Sequence, residues 1–277
     1  MYTFQIHFCF MEDCVRIKTE FMKKTKRRLK KPVKIALISI ACLAVCILGI
    51  LVLPRNTVLS QGQEYLKQQE EKAVDDLSEK LKETKYQELQ QGIDEGKVDL
   101  FALFDDAVIF GDSRALGFSV YHFFPDSHVL ADSGATVEYI SNWLDQVETI
   151  NPTYIFFSYG VNDMGMQLDD AGGYDKVYQE QIQKVLERCP DATIAVNSII
   201  PATDEAVAES PSWNKVDEYN AKVKSMCQEN GWIYIDNTEI SQNGDAPIYQ
   251  ADGVHFLQSF YTTWAENMIL SLEQNKD

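Results

Sequence analysis

The chain has 277 residues, a length that predicts one or two domains. Its charge is unevenly divided, because residues 1–55 hold 11 of the 25 Lys and Arg residues but only three of the 42 Asp and Glu residues. The rest of the chain has a formal charge of −25, which argues against nucleic acid as a partner and against close adsorption on anionic lipid. No Cys-x-x-Cys pair or His-rich spacing indicates a metal site, so we expect no metal.

An uncharged apolar segment of 19 residues, Ile35 to Leu53, is long enough as a helix to cross the core of a bilayer. A cluster of basic residues precedes it and only Arg55 follows it, which predicts a cytoplasmic N-terminus and an exterior C-terminal part. A cleaved signal peptide is the alternative, but its apolar region would have about 7–15 residues and an Ala-x-Ala-like site after it. We therefore predict a cytoplasmic basic N-terminus at residues 1–32 and an uncleaved transmembrane anchor at residues 33–53.

Residues 54–100 are polar and favour a helix, so we predict a solvated helical stalk that holds the next domain off the membrane. The apolar positions of this stalk are too sparse for a coiled coil, although weak dimerisation through it is an open alternative: Leu66, Ala73, Leu77, Leu81 and Leu89. A second alternative concerns the start of the chain. Met22 precedes a basic run, so residues 1–21 are either a short cytoplasmic tail or sequence upstream of the natural start.

Strands and helices alternate over residues 101–277, which predicts a three-layer α/β/α domain with a mainly parallel sheet of about five strands. The predicted strands are residues 107–110, 127–130, 154–157, 193–200 and 232–235. The predicted helices are residues 113–124, 137–150, 174–188, 216–229 and 259–272, with a loop at residues 201–211. Cys189 and Cys227 each lie near the end of a helix that precedes a strand. They either form one disulfide, if those helices are neighbours, or are two buried free thiols.

Four short motifs accompany these elements. Gly111-Asp112-Ser113, Ser133-Gly134 and Gly160-Val161-Asn162-Asp163 each follow a predicted strand, and Asp252-Gly253-Val254-His255 lies in a loop near the C-terminus. Because ligands of open α/β sheets bind at the carboxyl ends of the strands, we expect these motifs to converge. A serine is a poor nucleophile unless a neighbouring base takes its proton, and a carboxylate three residues before a histidine can orient that base.

The motifs therefore predict acyl-transfer chemistry with Ser113 as nucleophile, His255 as base and Asp252 as its orienting carboxylate. The backbone N–H groups of Ser113 and Gly134 and the side-chain amide of Asn162 are the predicted donors to the oxyanion. Taken singly, Ser113 could be an ordinary helix N-cap, and Gly134 and Asn162 could be turn residues. Residues that adjoin the motifs either line an acyl or leaving-group pocket or belong to the core: Arg114, Phe118, Tyr121, Met164, Met166 and Phe256.

At these residues the chain resembles the GDSL (SGNH) hydrolase family, over about residues 105–275. The four blocks of that family are named for a Ser, a Gly, an Asn and a His, which Ser113, Gly134, Asn162 and His255 match. Arg114 departs from the leucine that the family name implies. An α/β-hydrolase elbow fits less well, because Gly-x-Ser-x-Gly needs a second glycine, which is absent here.

The resemblance implies a flavodoxin-like SGNH hydrolase fold and a serine esterase, a chemistry that needs no organic cofactor. Together with the predicted anchor and its orientation, it indicates a membrane-anchored, extracellular bacterial enzyme. The expected substrate is an O-acyl ester, above all an O-acetyl ester, on a cell-envelope or environmental glycan. One alternative is an O-acetyltransferase that uses the same residues with an alcohol acceptor. Another is a catalytically inactive binding or scaffold protein, against which the complete Ser-His-Asp set argues.

Overall fold

The computed structural model describes residues 31–52, 58–166, 168, 171–242 and 247–275. These residues belong to two compact units, one ending at Ala73 and one starting at Val74. In the first unit, helix α1 (Lys31–Val52) is long and apolar enough to cross a membrane, a property that it shares with N-terminal signal sequences. Most of the predicted cytoplasmic segment, residues 1–30, lies outside the described part, as do the last residue of the predicted anchor, Leu53, and the start of the predicted stalk, residues 54–57.

Helix α2 (Val58–Asp94) covers most of the predicted stalk and belongs partly to each unit. Within the second unit its first apolar side chains, Val74, Leu77 and Leu81, are exposed. Its last turns differ, because Leu89 and Ile93 pack against a core of this unit. The C-terminal end of the polar helix is thus part of the folded domain.

A parallel sheet in the order β2-β1-β3-β4-β5 forms the centre of the second unit. Its strands are β1 (Ala107–Gly111), β2 (Val129–Ala131), β3 (Tyr154–Ser158), β4 (Thr193–Asn197) and β5 (Ile233–Ile235). The chain runs from β1 to β2 on one side and then returns to place β3 on the other side of β1. The carboxyl ends of β1 and β3 therefore flank a topological switch point, where sheets of this order bind ligands.

The helices of the second unit cover both faces of this sheet. They are α3 (Ser113–Val120), α4 (Leu144–Ile150), α5 (Tyr174–Arg188), α6 (Asp204–Glu209), α7 (Val216–Asn230), α8 (Thr238–Gln242) and α9 (Phe260–Asn275). Alternate residues of β1 point into two cores. Val108 and Phe110 pack with side chains of α5 and α7, whereas Ala107 and Ile109 pack with side chains of α3 and α9. The predicted three-layer α/β/α architecture is confirmed, and all five strands are parallel.

Several predicted boundaries differ from the observed ones. The helix predicted at residues 113–124 ends at Val120, because His122 takes a left-handed conformation with φ of 61°. The segment predicted as one helix at 137–150 is a 3₁₀ helix, Val137–Trp143, followed by α4. The strand predicted at 193–200 ends at Asn197, and the predicted loop at 201–211 contains α6. Cys189 and Cys227 are both buried free thiols, each packed into the core between the sheet and α5 and α7.

Candidate active site

Ser113 is the first residue of α3 and directly follows the turn after β1. The cap of this helix is Asp112, whose side chain accepts a hydrogen bond of 2.8 Å from the Arg114 N–H. The alternative in which Ser113 itself is the N-cap is therefore wrong, and its hydroxyl is not occupied in capping. The Ser113 N–H is one of the first N–H groups of the helix, which have no intrahelical acceptor.

The structure brings Ser113, His255 and Asp252 into one chain of hydrogen bonds. His255 Nε2 lies 2.9 Å from Ser113 Oγ, and His255 Nδ1 lies 2.7 Å from Asp252 Oδ2. The other oxygen of Asp252 accepts hydrogen bonds of 2.9 Å from the N–H groups of Val254 and His255. One carboxylate thus closes the turn and holds the imidazole ring. Gly253 makes this turn possible, because its φ is 68° and a Cβ there would collide with Thr203.

The ionised state of Asp252 determines which tautomer of the His255 ring is favoured. Partial burial works to raise the pKa of Asp252, but the hydrogen bonds from the Val254 N–H, the His255 ring and the His255 N–H outweigh it and lower that pKa to about 2. An ionised carboxylate can only accept hydrogen bonds, so in the neutral ring Nδ1 carries the proton and Nε2 is an acceptor. Nε2 can therefore take the proton of the Ser113 hydroxyl.

The two remaining motifs lie in loops that touch each other. Gly134 lies in the turn after β2 with φ of 74°, a left-handed conformation that favours glycine. Asn162 lies in the turn after β3, and its side-chain amide donates a hydrogen bond of 2.9 Å to the carbonyl of Ala135. An amide has two N–H donors, so this contact leaves a second donor on Asn162 for a ligand.

Asp163 also connects the loop after β3 to the segment after β2. Its side chain is fully buried, and one carboxyl oxygen accepts a hydrogen bond of 3.0 Å from the Val137 N–H. The other oxygen has no hydrogen-bond partner within the described residues. Burial raises the pKa of Asp163 to about 7, against the lowering effect of the Val137 N–H. Asp163 is therefore a structural group that supports the loop after β2.

Most of the candidate pocket residues belong to the core instead. Phe118, Phe256, Met164 and Arg114 are at least 94% buried. Met166, in contrast, is 48% exposed and follows the Asn162 turn directly. The sequence does not predict the hydrogen bonds of the Arg114 side chain, because it offers only a pocket or a core position for this residue. Its side chain donates to the carbonyls of Ile200 and Val254, and its place in the motif was the only signal in the sequence.

A family model described as the GDSL-like Lipase/Acylhydrolase family matches residues 110–262, more than half of the chain. This chain belongs to that family. The matched segment starts at the end of β1 and ends within α9, so it contains all four motifs. Membership makes the protein an ester hydrolase, in agreement with the resemblance noted in the sequence.

Several solved structures are similar to this chain. The lipase/acylhydrolase from Enterococcus faecalis is 17% identical, with a TM-score of 0.48 over 60% of this chain and 94% of that chain. A GDSL-like lipase from Bacteroides thetaiotaomicron VPI-5482 is 18% identical, with a TM-score of 0.47 over 67% of this chain and 96% of that chain. A family 3 carbohydrate esterase from Clostridium thermocellum is 18% identical, with a TM-score of 0.43 over 59% of this chain and 91% of that chain. A comparison with curated proteins found no match.

Replacing Asp163 with Asn should remove part of the pH dependence of stability. Folded Asp163 keeps its proton up to about pH 7, whereas an unfolded aspartate loses it near about pH 3.9. The contribution of this group to the free energy of unfolding therefore falls as the pH rises from about 4 to about 7. Thermal unfolding midpoints measured from about pH 5 to about pH 8 should fall less steeply in Asp163→Asn than in the wild type, and the variant should be relatively most stable above about pH 7.

Asp191→Asn is the matched control, because Asp191 is exposed and precedes β4 on the surface. This control should follow the wild-type curve. Parallel curves for Asp163→Asn and the wild type would show that Asp163 does not titrate in this range.

Proposed function

We propose that the protein is a serine esterase that removes O-acyl groups, above all O-acetyl groups, from glycans outside the cell. The observation that carries this proposal is the continuous hydrogen-bonded chain from Asp252 through His255 to Ser113. A nucleophile, a base in the required tautomer and an ionised orienting group are the parts that a serine hydrolase needs. The family supplies the reaction class, and the geometry supports the assignment of roles.

In the first half of the reaction, Ser113 Oγ attacks the acyl carbon while its proton passes to His255 Nε2. The ion pair with Asp252 stabilises the imidazolium that forms. The oxyanion of the tetrahedral intermediate accepts hydrogen bonds from the Ser113 N–H, the Gly134 N–H and the Asn162 amide. The bond to the sugar oxygen then breaks, and His255 gives its proton to that leaving oxygen. An acyl-enzyme on Ser113 remains.

In the second half, His255 Nε2 takes a proton from a water molecule while the oxygen of that water attacks the acyl carbon. The bond between the acyl carbon and Ser113 Oγ then breaks, His255 returns the proton to Ser113, and the free acid leaves. The side chains of His255 and Asp252 are 41% and 47% exposed, so water reaches this site directly. The same exposure suits a small acyl group on a large carrier, because the ester then has to reach only the surface of the domain. The exposure of His255 and Asp252 therefore favours hydrolysis of an ester on an acylated polymer. Transfer to an alcohol acceptor would use the same residues and differs only in the second nucleophile.

The location is part of the proposal. Helix α1 can serve as a membrane anchor, and the basic residues on its N-terminal side favour a cytoplasmic N-terminus with residues 54–277 outside. Under this arrangement the catalytic domain faces cell-envelope and environmental glycans. The strongly acidic composition of the exterior part argues against anionic lipid as the substrate surface.

Ser113→Ala should abolish hydrolysis of p-nitrophenyl acetate by the purified protein while its circular dichroism stays unchanged. The reason is that no acyl-enzyme can form without the hydroxyl. Ser225→Ala is the matched control, because Ser225 is exposed on α7, and it should keep full activity. Turnover of Ser113→Ala at the wild-type rate would contradict the assignment. The same assay of the wild type with an added sugar acceptor tests the transferase and binding-protein alternatives. Acetylated sugar as the main product would indicate a transferase. No turnover with or without the acceptor would indicate a binding protein.

Asn162→Ala and Asp252→Asn should lower activity with different signatures. In Asn162→Ala, losing one oxyanion donor should lower kcat about 10²–10³-fold, and the pH midpoint of activity should stay in place because an amide does not titrate.

In Asp252→Asn, losing the orienting carboxylate should lower kcat about 10⁴-fold, because the wrong imidazole tautomer becomes accessible. Steady-state kinetics across pH, with Asn275→Ala as an exposed helical control, separate the two roles. A silent Asn162→Ala would mean that the two backbone donors suffice.

Protease added to intact cells with an accessible surface should release the catalytic domain, because the anchor model places residues 54–277 outside. A cytoplasmic protein serves as the control for cell integrity. Persistence of full-length protein after digestion of other surface proteins would contradict an exterior location. Soluble protein in the medium without added protease would indicate that α1 is a cleaved signal sequence.

A further inference from the structure

We propose that Arg114 is a positioning residue that holds the His255 loop in register with the nucleophile. The inference deepens the proposed function and rests on it, because the position of His255 matters only if His255 is the base. Arg114 is covalently next to Ser113, yet its guanidinium contacts the two residues that flank His255. One side chain thus connects the nucleophile motif to a motif 140 residues away.

Three contacts define this connection. The Arg114 Nε–H donates a hydrogen bond of 2.9 Å to the carbonyl of Val254, the residue before His255. Nη1 donates one of 2.5 Å to the carbonyl of Ile200, just beyond the end of β4. The guanidinium carbon lies 4.8 Å from the ring centre of Phe256, the residue after His255. A cation over an aromatic ring is attracted to it, and more strongly when both are shielded from water.

The base of the arginine is fixed as well. Its N–H is bound by the Asp112 cap, and its carbonyl accepts a hydrogen bond of 2.8 Å from the Tyr261 hydroxyl. Arg114 is 3% exposed, and Phe256 is 1% exposed. Nε and Nη1 of the guanidinium are hydrogen-bonded, whereas Nη2 has no hydrogen-bond partner within the described residues. Two directed bonds on a planar group that has little space to move fix its orientation. The His255 loop therefore cannot shift away from Ser113 without breaking these contacts.

Asp112 offsets part of the cost of burying the Arg114 cation, because burial lowers the pKa of Arg114 and the charge of Asp112 opposes that shift. Asp112 is 2% exposed, and the nearby charge of Arg114 opposes the rise that burial causes in the pKa of Asp112. The two buried groups stabilise each other's charge, which a leucine at position 114 could not do. A leucine would also leave the carbonyls of Ile200 and Val254 without these donors. The departure from the family leucine thus changes how the fourth motif is held.

Arg114→Leu and Arg114→Ala in the purified full-length protein test this role. A displacement of the base by about 1 Å can cost about 100-fold in rate, so kcat should fall about 10–100-fold while KM stays within about two-fold. Labelling of Ser113 by a fluorophosphonate should slow by a similar factor. In Arg114→Ala, guanidinium chloride at tens of millimolar should restore part of kcat, whereas sodium chloride at equal ionic strength should not.

Arg188→Leu and Arg188→Ala are the matched controls, because Arg188 is 41% exposed and pairs with Glu148 at the C-terminal end of α5. They should keep the wild-type kcat and should not respond to guanidinium. If both Arg114 variants fail to fold, Arg114→Lys is tested instead. The kcat of this variant should still fall, because an ammonium group cannot reproduce the two directed hydrogen bonds of the planar guanidinium. Unchanged kcat and labelling rates in the folded Arg114 variants would overturn the proposal, as would a loss of thermal stability alone.

Histidine ¹⁵N resonances separate a failure of this proposal from a failure of the proposed function. His255 is one of four histidines and can be assigned with His255→Asn. In the folded Arg114 variant its ring resonances should shift, while those of His122 and His128 should not. If wild-type ester hydrolysis does not depend on Ser113, the proposed function fails, but the resonances still report whether Arg114 holds the His255 ring. Unshifted His255 resonances would overturn the positioning role by themselves.

Discussion

Most groups of the site depend on the parallel register between β1 and its two neighbours. Gly111 at the end of β1 is paired with Ala131 of β2 and with Ser158 of β3, so three chain segments leave the sheet at one level. Ser113 follows Gly111 by two residues and Asn162 follows Ser158 by four, so neither has a long loop in which to adjust. A slip by one residue would move Ser113 by about 3.3 Å along the strand. Strand pairing therefore fixes where Ser113 lies relative to the loops that carry Gly134 and Asn162.

The His255 motif is the exception, because no strand delivers it to the edge of the sheet. Its loop is held by hydrogen bonds to its backbone carbonyls instead: Thr203 N–H donates to Gly253, and the Arg114 side chain donates to Val254. The partners come from the segment after β4 and from α3, which are both anchored by the sheet. Carbonyl-directed bonds fix the path of the backbone rather than a side chain. The position of His255 therefore depends on two strands, β4 through Thr203 and β1 through Arg114.

The sequence predicts the five strands well, because each strand is a short apolar run that ends in a glycine-containing or polar motif. It does not predict α6, because that segment is mostly polar and lies between prolines at 201 and 211. In the structure Thr203 caps α6 by accepting a hydrogen bond from the Ala206 N–H. The sequence also does not predict the partners of Arg114, which lie 86 and 140 residues away. Local patterns determine which residues lie at the edge of the sheet. Only tertiary contacts determine what holds them there.

Stability alone does not explain why an arginine follows the nucleophile. Buried ions are often no more stabilising than apolar side chains of similar volume, because removing charges from water costs about as much as their attraction returns. A leucine would fill the space beside Phe256 and avoid that cost. Apolar contacts, however, have no preferred direction, whereas the guanidinium fixes the direction of each N–H that it donates. In this protein the apolar strands stabilise the fold, and a buried cation at position 114 fixes the orientation that the His255 loop needs.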